Sequence, residues 1–100
     1  MSKAVQDTFI KMGYKILSVA KGTANGPDMH VQKEGMVLRV EIKKARYIKR
    51  SSSVHPVEPL RVHDDLIAIE FPSGYVLIEP MKDHLKSCSE KGTRSFFGVY

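Results

Sequence analysis

The chain has 100 residues, 16 Lys plus Arg against 11 Asp plus Glu, and a formal net charge of +5 at pH 7. That length predicts one domain over residues 1–100, and the 42% hydrophobic content is enough for a core, which excludes wholesale disorder. No apolar run reaches the roughly 20 residues that span a bilayer, no apolar stretch follows Met1 as in a secretory signal, and the single Cys88 excludes an internal disulfide or a multi-cysteine zinc site; the expectation is a cytoplasmic, non-secreted protein with no membrane partner.

Residues 3–12 are predicted as a helix with Val5, Phe9 and Met12 on its apolar face, stopped at Gly13-Tyr14. A strand at 14–19 follows, then a loop, Lys21-Gly22-Thr23-Ala24-Asn25-Gly26-Pro27, dense in turn formers. This loop lacks the Lys-Ser/Thr ending of a nucleotide-binding phosphate loop. Asp28-Met29-His30-Val31-Gln32 and Met36–Lys43 both alternate, and Lys33-Glu34-Gly35 between them can turn, so the pair reads as a β-hairpin. Residues 43–50 hold five cations, Lys43, Lys44, Arg46, Lys49 and Arg50. They help give residues 1–50 a balance of +7 while residues 51–100 carry −2. Such a block is either a solvated face or the footprint of a polyanion, which is held as its counterions are released. Tyr47 within it suits base stacking or a core anchor equally.

Residues 51–64, with three serines, Pro56 and Pro59, read as an irregular connection. Leu66–Phe71 and Tyr75–Glu79 form a second hairpin about Pro72-Ser73-Gly74, and their near-continuous apolar runs predict strands covered on both faces. A short helix at 81–88 follows Pro80, and the tail Ser95–Tyr100 can add an edge strand or cover a partner subunit.

The first hairpin carries the chemistry. If Glu34-Gly35 is a two-residue turn, paired residues have numbers summing to 69, and Asp28 lies opposite Glu41. Directly opposed side chains share a face with Cβ atoms about 5 Å apart, and Lys43 joins that face through the two-residue period. Two opposed carboxylates repel, which a purely structural sheet has no reason to choose; a divalent cation between them turns the repulsion into a site. The bland alternative is a pair of surface carboxylates salt-bridged to Lys43 and Arg39. His30 shares the face and suits a phosphate, a metal-bound water or plain exposure. His55 and His63 match no zinc spacing and read as loop residues. Asp64-Asp65 reads as a cap at the start of a strand or a partner of the basic block. Cys88 has no accompanying general base.

Gly26-Pro27-Asp28, twelve residues, then Glu41-Ile42-Lys43 resemble the signature of the PD-(D/E)XK nuclease superfamily, which includes many restriction enzymes, archaeal Holliday-junction resolvases and some homing endonucleases. The stretch Asp64–Pro80 is similar to the closing hairpin of small homing-endonuclease-like members, and the resemblance covers roughly residues 4–88. It implies an α/β (α+β) restriction-endonuclease-like core, a mixed sheet of about four or five strands flanked by helices in the order α-β-β-β-(loop)-β-β-α. It also implies Mg²⁺- or Mn²⁺-dependent endonuclease action on duplex or branched DNA, in a bacterial, archaeal or phage-infected cell. Asp28 and Glu41, with the Ile42 carbonyl, would be metal ligands, and Lys43 a catalytic cation. Lys21, Arg39, Lys44, Arg46, Lys49 and Arg50 would hold the DNA backbone. Where many members carry a helix glutamate this chain has Ser2; Asp7, then Gln6, is the nearest replacement, outside the family's register. A chain too small to surround a duplex is expected to act as a homodimer or higher assembly. That departure at Ser2 favours a second reading, a weak or inactive nuclease-fold module binding nucleic acid in a regulatory role; the intact Asp28, Glu41 and Lys43 favour the enzyme.

Overall fold

The computed structural model describes residues 3–20, 27–48, 53–56, 63–88 and 96–97. These form α1 (Lys3–Lys11), β1 (Lys15–Val19), β2 (Met29–Lys33), β3 (Met36–Ile48), β4 (Ser53–Pro56), β5 (Leu66–Glu70), β6 (Val76–Pro80), α2 (Met81–Ser87) and β7 (Phe96–Phe97). Strands β1, β2, β3, β5 and β6 make a five-stranded mixed sheet in that spatial order, parallel only between β3 and β5. The two helices and this sheet give the expected α+β architecture.

Two elements depart from the sequence expectation. The Met36–Lys43 strand runs on through the basic block to Ile48, and its far half pairs antiparallel with β4. Residues 53–56 are therefore a strand, not irregular connection; the extended β3 supplies a partner that their own composition does not announce. β7 then pairs with β4 as an edge strand. The other departure is β6, expected to be covered on both faces but only half-buried, because β5 is its one neighbour among the described residues.

Alternation along β3 sorts the core into two clusters. Val40, Leu66 and Ala68 pack with Val5, Phe9, Met29 and Val31 under α1. Ile67, Ile69, Phe71 and Met81 form the second cluster on the opposite face, with Ala45 and Phe96. Phe71 and Phe96 meet edge to face at 5.0 Å. In α1 only Val5 and Phe9 are buried; Met12 and Ile10 are exposed, since the helix ends before Met12 can reach the sheet. Gly13 closes it at φ +90°, with Gly13 N–H donating to Ile10 O and Tyr14 N–H to Phe9 O, a left-handed cap that favours glycine. Lys33 donates to Met12 O at 2.8 Å and lies over the Tyr14 ring, adding a cation where the helix dipole is negative.

Candidate functional site

The hairpin turns through Glu34 at φ 53° and Gly35 at φ 78°, the two left-handed residues of a type I′ turn. The register is the one the two-residue turn predicts, from Lys33 opposite Met36 to Met29 opposite Val40. The next step in that register is Asp28 against Glu41, just past the end of the ladder.

Asp28 leaves the ladder but is held on two sides. Ala20 N–H donates to its carbonyl at 2.8 Å, and its Oδ2 accepts the Ile42 N–H at 2.8 Å. That second bond fills the place β2 would have taken had it continued. The amide and carbonyl of a strand residue project toward the same neighbour, and the direction reverses at each residue. Arg39 exchanges both its backbone bonds with Asp65 on the β5 side; Ile42, three residues on, therefore directs its carbonyl as well as its amide to the Asp28 side. The Ile42 carbonyl is thus directed to the side of β3 on which Asp28 lies, at the end of β2.

Glu41 and Lys43 fall on the sheet face away from α1. Glu41 is 3% exposed, and the Lys43 ammonium lies 3.7 Å from its Oε1, itself mostly buried. A carboxylate this dehydrated is costly without cations close by. The set of two carboxylates and a carbonyl is hard oxygen chemistry, which fits Mg²⁺ or Mn²⁺ better than zinc. Among the described residues no group of three or more His, Cys, Asp and Glu gathers for a metal. Asp7 is exposed on α1, the helix packed against the other face of the sheet.

Lys44 alternates onto the face opposite Lys43, so these two neighbours do not share one surface. Arg46 lies in β3 opposite His55; Lys21, Lys49 and Arg50 lie outside the described residues. Arg39 shares the Glu41 face but pairs with Asp65, Nε to Oδ2 at 3.4 Å, and donates from Nη2 to the His63 carbonyl at 2.8 Å. Asp65 accepts the Arg39 amide as well, and that bond, above all, holds its carboxyl below the usual range against the opposing effect of burial. Its partner is therefore Arg39, outside the 43–50 block that the sequence suggested.

Two groups escaped sequence reasoning. Ser18 Oγ lies 3.0 Å from His30 Nδ1, because a bulge between Ile16 and Ser18 shifts β1 by one residue. The signal was present: Ile16 and Val19 both pack on the core, a three-residue spacing that no regular strand puts on one face. The other is His84, 1% exposed, whose Nδ1 lies 3.2 Å from Glu79 Oε1. Its spacing from the buried Met81 is that of a helix core position.

No protein-family model matches the chain, and no curated protein matches it. Among solved structures the fold is similar to that of a bacterial homing endonuclease, I-Ssp6803I, with a TM-score of 0.75 at 16% sequence identity, over 98% of this chain and 70% of that one. At that identity the likeness is one of fold, and the fold is one found in a nuclease.

Proposed function

We propose that the chain is a compact metal-dependent DNA endonuclease of the PD-(D/E)XK type, with Asp28, Glu41 and Lys43 as its catalytic residues. The observation that supports this reading is the Ile42 N–H donated to Asp28 Oδ2, one residue along β3 from the buried Glu41 that pairs with Lys43, on a fold similar to that of a homing endonuclease. Asp28, Glu41 and the Ile42 carbonyl would hold Mg²⁺ or Mn²⁺. The ion, when bound, supplies Lewis-acid polarisation of a phosphodiester and a more acidic water. The chain's own groups then have distinct tasks. The Ile42 amide fixes one oxygen of Asp28 and leaves the other for the ion. Lys43, mostly buried beside Glu41, sets its side-chain nitrogen where negative charge develops on the phosphorane. Arg39, which shares the Glu41 face, holds the backbone there with Lys21, Lys49 and Arg50, and selectivity is for DNA structure or weakly for sequence.

A chain of 100 residues covers only a small part of a duplex, so we assign it a homodimer or larger assembly with one site per copy. The competing reading, the same fold binding nucleic acid without cutting, is favoured by the two-carboxylate donor set. Nicking of supercoiled plasmid and of branched duplexes, with Mg²⁺ or Mn²⁺, separates the two. Asp28→Ala and Glu41→Ala should each abolish cutting while DNA affinity in EDTA is kept. Cutting that persists in both variants sinks the site, and a wild-type chain that binds DNA but never cuts it establishes the binding module.

A further inference from the structure

One step along the sheet from Asp28 and Glu41, on the same face, lies a second row of polar side chains. Ser18 is opposite His30 across β1 and β2, and His30 is opposite Arg39 across β2 and β3. We infer that Ser18, His30 and Arg39 seat the DNA phosphate next to the one that is cut; this rests on the nuclease reading and deepens it.

Three observations carry the assignment. First, the bulge in β1 places Ser18 against His30. Without the register shift, the pairing of Lys15 with Gln32 and Ile16 with Val31 would continue to Leu17 against His30. The irregularity thus sets a hydroxyl 3.0 Å from the imidazole Nδ1. Bulges that re-aim a side chain recur beside active sites. With Nδ1 engaged by Ser18, Nε2 is the ring nitrogen left for a ligand.

Second, Arg39 is braced without being used up. Its Nε and Nη2 bond Asp65 and the His63 carbonyl, while 46% of the side chain stays exposed. A guanidinium has five N–H donors, so a fork held this way keeps donors for a phosphate. The nearby Asp65 carboxylate does not compete for them through Oδ2, which already accepts from the Arg39 amide and Nε.

Third, the spacing fits. Residues 39 and 41 are two positions apart on one strand, a step of about 7 Å. This is on the scale of the separation between successive phosphates of a nucleic-acid strand. A strand with one phosphate at Asp28 and Glu41 then has its neighbour over His30 and Arg39.

The test is binding of a fluorescein-labelled DNA duplex in EDTA, followed by anisotropy from about 50 to about 300 mM KCl. Arg39→Gln should lower the slope of log Kd against log salt by about 0.9, one phosphate contact, and Arg39→Lys should restore it. His30→Gln and Ser18→Ala lie outside the Asp65 brace. Each should weaken binding by about 3- to 10-fold, the scale of one hydrogen bond, with the melting temperature unchanged. An unchanged slope in Arg39→Gln together with unchanged affinity in His30→Gln, in a wild-type protein that binds and nicks DNA, overturns the row and leaves the nuclease reading standing. A wild-type protein that neither binds nor nicks DNA overturns both.

Discussion

A carboxylate as buried as Glu41 gives up most of its hydration, and the Lys43 ammonium at 3.7 Å is one of the groups that offset the loss. Glu41→Gln keeps the shape and removes the charge. We expect it to cost about 1–3 kcal/mol in urea unfolding, because the mostly buried Lys43 loses its counter-charge, while nicking is lost. Lys43→Met should cost a similar amount, and less in the Glu41→Gln background, a coupling that a double-mutant cycle reads directly. Asp65 makes a second residue-scale prediction. The Arg39 amide holds its native carboxyl below the ordinary value. The unfolded chain therefore takes up a proton first as pH falls, so the contribution of Asp65 is complete above its unfolded value and is lost on descending through the native one. Asp65→Asn should accordingly make the melting temperature fall less steeply as pH descends below about pH 4. The register that carries Asp28 toward Glu41 was legible because hairpin register is arithmetic. The Asp65–Arg39 brace was not, because it depends on β5 lying parallel beside β3, a pairing between segments more than twenty residues apart.

At the scale of elements, the first hairpin depends on a turn whose two residues both take positive φ. Glu34 is poorly suited to that region, and Gly35 is well suited. Glu34→Asn creates the preferred Asn-Gly turn and should raise stability by a few tenths to about 1 kcal/mol in thermal unfolding, with the Asp28–Glu41 register and nicking unchanged. Gly13→Ala should cost about 1 kcal/mol, because alanine meets the left-handed cap at φ +90° with a steric penalty that glycine lacks. The hairpins and both helices could be read from alternation, turn formers and helical spacing. Two features could not. Ser53–Pro56 has no alternating apolar pattern of its own and becomes a strand only because β3 runs on to Ile48 beside it. The bulge at Leu17 belongs to the pairing of β1 with β2 and left only an irregular apolar spacing as its trace in the sequence.

Across the whole molecule, the two faces of the sheet divide the work. α1 covers the face of Val40 and Leu66, while the other face carries apolar packing around Ile67 and Ile69 and the polar rows of Glu41 and Arg39. A basic chain with its dehydrated carboxylate on the same face as an exposed arginine suits a polyanion held beside a cation. The fold class was legible in the sequence because the helix, the first hairpin and the closing hairpin follow in the order of the family that the motif resembles, while the parallel pairing of β3 with β5 was not legible. The placing of Lys43 and Lys44 on opposite faces was not foreseen, since neighbouring cations separate onto two faces once they lie in a strand. The divalent-cation site proposed at the end of β2 is open to Mn²⁺ binding measured by electron paramagnetic resonance with a short DNA duplex present. Saturable Mn²⁺ binding by the wild-type chain should be lost in Asp28→Asn with Glu41→Gln; equal binding by the wild type and that double variant would mean that these carboxylates hold no ion.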